Sequence, residues 1–211
     1  MTQLELGPFP VNCYIVRRGG AEEGVIVDPG WPGEEGRILD ALGGVRCAAV
    51  LITHGDVDHV GAVAGVAEAT GAPVYMAEEE RAQLERANDF VPAGLDVTIR
   101  PYTPDVLLRG DETLELAGIT FQTLRVPGHT AGHLAYHADG HLFSGDVLTA
   151  GSVGRTDRPG SSWEELLESI RALMERFPPE TVVHSGHGPD TTLGRELETN
   201  PFLAELRAAP R

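Results

Sequence analysis

The order of hydrophobic runs in the 211-residue chain predicts a layered α/β architecture, with mixed strands packed between outer helices. Two observations carry this. Short Val/Ile-rich runs of strand length alternate with amphipathic runs of helical period. Turn and cap signals punctuate each of them, and no low-complexity linker or long repeat divides the chain, so residues 1–211 are expected to form one domain.

Val11–Val16 and residues 24–27 read as strands, the second ended by Asp28-Pro29-Gly30. Residues 34–42 have helical amphipathicity, followed by Gly43-Gly44. The continuous apolar run 48–53 reads as a buried strand, and 60–69 as a helix closed by Gly71. Residues 74–76 read as a strand and 77–87 as a helix with a charged outer face. Residues 88–111 hold three prolines and little periodicity, so a loop is expected. Hairpins are expected around Ala117-Gly118 and Asp139-Gly140. Residues 161–177 read as a helix capped by Ser162 with Glu165 and stopped by Pro178-Pro179. A last strand over 181–184 and a short helix over 201–207 complete the reading.

Composition excludes several functions. Asp and Glu number 32 against 16 basic residues, a formal charge of −16, and every basic residue is Arg. An acidic chain of this kind is not built to bind nucleic acid or an anionic membrane surface. Without Lys there is no Schiff-base lysine and no P-loop. Cys13 and Cys47 are too few and too far apart for a disulfide framework or a zinc knuckle, and read as apolar packing residues of a reducing cytoplasm. No apolar run reaches membrane-spanning length, and MTQLELGPFP lacks the basic and apolar regions of a secretory signal, so a cytoplasmic location is expected.

The chemistry is concentrated in three short clusters. THGDVDH (53–59) follows a predicted strand, PGHTAGH (127–133) joins two strands, and HSGHGP (184–189) follows the last strand; Asp28 and Asp146 sit at further strand ends. Imidazole and carboxylate groups on loops at strand ends suit a Zn, Fe or Mn site, because the sheet holds the loops while the ligands converge. Asp56 or Asp58 could instead cap the following helix, but that would not explain the histidines. His184, His137 and His141 read as structural or solvated, Trp31 and Trp163 as core or rim packing, and Arg155–Asp157 as a buried ion pair or an anion contact.

On these motifs the sequence resembles the metallo-β-lactamase superfamily, and within it the glyoxalase II-like (hydroxyacylglutathione hydrolase-like) proteins. Asp28, the 54–59 cluster, His129, Asp146 in FSGD and His187 in SGHGP occur in the family's order; the stretches 151–157, and 188–194 followed by Asn200-Pro201-Phe202, resemble small bacterial glyoxalase II-like members. The resemblance implies an αββα four-layer sandwich, two mixed sheets flanked by helices, with one or two metal ions, zinc first and Fe or Mn next, at one sheet edge. It implies a first metal on His54, residue 56, His129 and Asp146, and a second on Asp58, His59, Asp146 and His187. Asp28 and His133 are expected behind these ligands. Asp56 stands where the family has His, so whether it reaches metal is open.

The implied activity is hydrolysis of a small-molecule thioester or ester by metal-bound hydroxide, with Asp58 orienting it and taking its proton. The chain cannot carry the family's glutathione-contacting Lys, which makes S-lactoylglutathione one candidate among several. The alternatives are a persulfide dioxygenase-like iron enzyme on His54, His129 and Asp146, and a non-catalytic metal module disabled at Asp56. The oligomeric state is not legible.

Overall fold

The computed structural model describes residues 1–208. The chain runs through β1 (Thr2–Leu6), β2 (Val11–Val16), β3 (Glu23–Val27), α1 (Glu35–Leu42), β4 (Arg46–Leu51), α2 (Val57–Val60), α3 (Val63–Thr70), β5 (Val74–Ala77), α4 (Arg81–Glu85) and β6 (Val106–Leu108). These strands form one mixed sheet in the order β1-β2-β3-β4-β5-β6, parallel from β3 onward. The second half contributes β7 (Thr113–Leu116), β8 (Ile119–Arg125), β9 (Leu134–Ala138), β10 (His141–Gly145), β11 (Leu148–Thr149), β12 (Ser152–Val153), α5 (Trp163–Arg176), β13 (Val182–Ser185), β14 (Thr191–Thr192), α6 (Leu193–Thr199) and α7 (Ala204–Ala208). Its sheet runs β14-β13-β10-β9-β8-β7, with β10 and β13 parallel and the other pairs antiparallel.

Three apolar layers hold this together. Tyr14, Val27, Leu51, Phe121, Tyr136 and Phe143 meet between the sheets. The outer face of the first sheet is covered by Ile38 of α1 and Val63 and Val66 of α3, and that of the second by Leu166, Ile170 and Leu173 of α5. The result is the expected αββα sandwich of two mixed sheets with flanking helices. Among the described residues no helix is long and apolar enough to cross a membrane.

Local chemistry explains several element ends. Gly43, in the left-handed region at φ 64°, closes α1 by donating to the Leu39 and Asp40 carbonyls. Ser162 Oγ accepts from Glu165 N at the start of α5. The expected helix over 60–69 is two, α2 and α3, and the expected 77–87 helix is a 3₁₀ turn followed by the short α4. Its face is not wholly outward either: Glu80 is 1% exposed. Strands β1, β6, β11, β12 and β14 and helix α6 are absent from the sequence expectations; β6, β11, β12 and β14 are only two or three residues long and give no period to read, whereas the Leu4–Leu6 alternation of β1 is legible in the sequence and was missed.

The connections bring the ends of β3, β4, β8, β10 and β13 to one edge. There the sheets are stitched by backbone bonds from Leu134 N to Thr53 O (2.8 Å) and Asn12 N to Gly186 O (2.7 Å), while Gly186 N to Gly145 O (2.8 Å) continues the β10–β13 pairing of the second sheet.

Candidate metal centre

The first cluster leaves β4 into α2. Asp56 occupies the N-cap position of α2 with extended backbone, but its side chain makes no capping bond and turns into the centre instead. The second cluster joins β8 to β9, and Ser162 N and Ser161 Oγ pin it by donating to Gly128 O and His129 O. The third leaves β13 and is held by Asn12, whose amide donates to Ser185 O and Gly188 O at 2.9 and 2.8 Å, and by Tyr14 OH on Ser185 O at 2.7 Å. Close approach needs glycine at two places. At Gly145, φ is 48° and a Cβ would collide with Thr53 and His133; at Gly186 a Cβ would collide with Asp146 and His59.

The seven side chains expected as ligands converge. One group is His54, Asp56 and His129, and another is Asp58, His59 and His187, the donor atoms of each lying within 4.8 Å of one another. Asp56 Oδ2 is 3.4 Å from His129 Nε2 and 3.8 Å from His54 Nε2. Asp58 Oδ2 is 3.2 Å from His187 Nε2. Asp146 stands between the groups, with Oδ1 3.5 Å from His59 Nε2 and Oδ2 3.8 and 3.6 Å from the Nε2 atoms of His129 and His187.

Each imidazole is aimed by the bond at its other nitrogen. His129 Nδ1 donates to Arg155 O at 2.9 Å and His187 Nδ1 to Pro10 O at 2.6 Å. His59 Nδ1 donates to Asp28 Oδ2 at 3.0 Å, and His54 Nδ1 to Thr53 Oγ1 at 3.0 Å, whose hydroxyl donates on to the same Asp28 oxygen at 2.7 Å. Asp28 Oδ1 also accepts from Thr53 N at 2.8 Å. Asp28 is thus placed behind His59 and, through Thr53, behind His54. His133 stacks on His54 at 4.6 Å and accepts from Asp146 N at 3.1 Å.

With Nδ1 engaged, Nε2 of each of the four faces the centre. Those of His54, His59 and His129, and Asp146 Oδ1, are buried with no hydrogen-bond partner among the described residues. A buried polar atom left unpaired costs roughly 1–3 kcal/mol, and four in one place fit a divalent cation that all of them face.

The electrostatics agree. Burial opposes ionisation of Asp146, but the neighbouring His59, His187 and His129 hold its carboxyl below the usual carboxylate range. Burial pushes the His54 imidazole well down, aided by the surrounding imidazoles, and pushes His133 down to about 3. At neutral pH both are neutral and able to accept. Burial also opposes protonation of His59, yet Asp146 and Asp28 raise it.

Two residues that the sequence did not single out shape the site. Arg158 Nη1 donates to Asp56 Oδ2, so the residue departing from the family pattern carries its own counter-ion. Buried Glu80 joins the first two clusters, accepting from Gly55 N at 3.0 Å and Gly132 N at 2.9 Å. Nothing in the local pattern distinguishes either from a surface charge. The Arg155–Asp157 pair exists, at 2.6 and 2.8 Å, but is exposed rather than buried. His184 is structural as expected, buried and stacked on Phe143. His137 is half-buried, stacked on Phe177, and so only partly solvated. Both cysteines are buried and free. The two stretches resembling glyoxalase II-like members meet where Asn200 donates to Ser152 O, and Glu196, which lies outside both, joins them by accepting from Gly151 N and Thr191 Oγ1.

Comparison with known proteins agrees with this construction. The profile of the Metallo-beta-lactamase superfamily matches residues 6–187. The probable metallo-hydrolase YqgX of Bacillus subtilis is 36% identical over 206 residues, 95% of this chain and 96% of that protein. Hydroxyacylglutathione hydrolase GloC of Haemophilus influenzae is 33% identical over 205 residues, 92% and 93% of the two chains. Among solved structures, the BLEG-1 B3 metallo-beta-lactamase superposes with a TM-score of 0.88 at 37% identity, covering 96% of this chain and 99% of that one. TTHA1623 in a di-iron-bound form superposes with 0.83 at 41%, covering 96% and 100%. A profile match spanning most of the chain, joined to relatives of this identity and coverage, shows that the chain belongs to the metallo-beta-lactamase superfamily.

Proposed function

We propose that this chain is a metal-dependent hydrolase of thioesters or related esters. The observation that carries it is the set of partnerless, buried Nε2 atoms of His54, His59 and His129 around Asp146, at the inner end of a cleft large enough for a substrate. In this reading His54, Asp56, His129 and Asp146 hold one ion, and Asp58, His59, Asp146 and His187 a second. Zinc is the first expectation; the di-iron form of TTHA1623 makes iron the next to test. The GloC name supports a thioester among the acyl compounds such a site would take.

Divalent ions held by these residues would supply Lewis acidity for acidifying water and polarising an acyl carbonyl. The protein's own groups do the rest. Asp58, on the open side of the centre, orients the attacking water and takes its proton at Oδ2. Asp28 holds His59 through its Nδ1 and His54 through Thr53, so both rings keep their Nε2 atoms inward throughout turnover. The Asp56–Arg158 pair sets the local charge beside His54 and His129. Glu80 keeps the 53–59 and 127–133 loops in register.

Metal-replete protein assayed with S-lactoylglutathione, other thioesters, simple esters and lactones should hydrolyse at least one class, and Asp58→Ala should lower kcat by about 100-fold or more. Turnover of none of these removes the proposal. A second reading, an iron-dependent oxygenase acting on persulfides, draws on the di-iron neighbour and the two-His-one-Asp set of His54, His129 and Asp146. Iron content with persulfide-dependent oxygen uptake would favour it; zinc-loaded protein that consumes no oxygen would exclude it.

A further inference from the structure

The centre opens into a cleft of about 1210 Å³ with two unlike halves. One wall is apolar: Phe9, Trp31, Val57, Phe90 and Leu95 line it. Phe9 is 52% exposed and meets Trp31 edge-on at 5.7 Å; Phe90 is 42% exposed. Trp31 and Leu95 are backed by the small buried cluster of Val57, Ala87 and Ile99, so the wall is supported from behind. Among the described residues few large apolar side chains are exposed, and two of them, Phe9 and Phe90, line this cleft.

The other half is charged, but it offers no free cation. Its two arginines are both engaged, Arg158 by Asp56 and Arg155 by both carboxylate oxygens of Asp157. Of the remaining charged lining away from the centre, Glu79 at the rim is paired with Arg125 and Glu80 is committed to backbone amides. The chain has no Lys to reach in. A tripeptide thiol such as glutathione carries two carboxylates that would need cationic partners. An uncharged apolar arm needs only the wall.

We propose that the cleft selects acyl compounds with an uncharged, apolar arm, aromatic or medium-length aliphatic, seated on Phe9, Trp31, Phe90 and Leu95, over thioesters of carboxylate-bearing thiols. This rests on the acyl-hydrolase reading above. Phe9 and Phe90 are then specificity-determining residues, acting by contact with the arm.

The test compares three substrates on metal-replete protein: the phenylacetyl and acetyl thioesters of N-acetylcysteamine, both uncharged, and S-lactoylglutathione. The phenylacetyl compound should have a kcat/KM about 10-fold or more above both others, mainly through KM. Phe9→Ser and Phe90→Ser, each at an exposed position, should lower the phenylacetyl-to-acetyl ratio by about 5- to 10-fold. A preference for S-lactoylglutathione, or ratios unmoved in both variants, overturns the proposal while leaving the hydrolase reading intact. In parallel, binding of the non-hydrolysable ketone 4-phenylbutan-2-one is followed by tryptophan fluorescence. If none of the thioesters, simple esters or lactones turns over but this ketone binds and Phe90→Ser weakens it about 5-fold, the apolar subsite stands and the hydrolase reading falls. No binding of the ketone, without turnover, overturns both.

Discussion

Replacing Asp28 by Asn isolates the residue that aims half of the centre. Asp28 is buried, and its backbone is in the left-handed region at φ 48°, which Asn adopts at lower cost than Ala. The substitution therefore changes chemistry with little backbone cost. The carboxylate accepts from three donors, Thr53 N, Thr53 Oγ1 and His59 Nδ1. An amide has one accepting oxygen, so its NH2 must face a donor. Hydrogen bonds to a charged acceptor contribute about 1.5–3 kcal/mol each. The Thr53 hydroxyl can rotate and relieve part of this, leaving an expected destabilisation of about 2–3 kcal/mol for the metal-free protein. For metal, the loss of such a supporting carboxylate costs roughly 10–100-fold in affinity. Urea unfolding of the metal-free protein reads the first quantity, and zinc competition against a chromophoric chelator reads the second. Thr53→Val, which cuts only the link to His54, should give a smaller effect on both. If Asp28→Asn stays within about 0.5 kcal/mol and twofold of the parent, the orienting role assigned to Asp28 is wrong.

Other consequences follow from the same geometry. Arg158→Gln removes the counter-ion of Asp56; the pair is partly exposed, so the effect is about 1 kcal/mol, and zinc should bind the tighter for it by about fivefold at low salt, an unchanged affinity counting against Arg158 as counter-ion. Glu80→Ala leaves the buried amides of Gly55 and Gly132 without an acceptor and should destabilise the fold by about 2–4 kcal/mol in thermal or urea unfolding. Glu112 ionises at about 2 in the folded chain against 4.5 for a free glutamate: burial opposes ionisation, but Thr123 Oγ1 and the amides of Arg109 and Gly110 donate to it. Its contribution is complete above pH 4.5 and is lost as pH falls toward 2, so Glu112→Gln should flatten the acid limb of a stability–pH curve by about 1 kcal/mol and leave its neutral part less stable than the parent. An acid limb of unchanged steepness in the variant would show that Glu112 does not contribute.

Much of this protein is local and was readable as such. The strands at 11–16, 24–27, 48–53 and 74–76 are runs whose apolar side chains have no other place to go, and the structure puts β2 to β5 there. The cap at Ser162 and the hairpins at Ala117-Gly118 and Asp139-Gly140 rest on bonds and dihedrals within a few residues. The three His/Asp clusters announced themselves by spacing alone. What the sequence left open concerns contacts between residues far apart in the chain. Arg158 meets Asp56 across 102 positions, Glu80 meets Gly132 across 52, and Asn12 meets Ser185 across 173. No period or propensity records such pairs, since a charged or amide side chain reads the same on a surface as in a buried bridge. Phe9 and Phe90 likewise read as ordinary apolar residues until the fold set them on one wall. The sequence by itself determined the class of chemistry, because ligand types and strand-end loops are short-range features. Only the tertiary structure decided how the departing Asp56 is neutralised and what kind of arm the cleft can receive, because both depend on which distant groups the two sheets bring to the same edge.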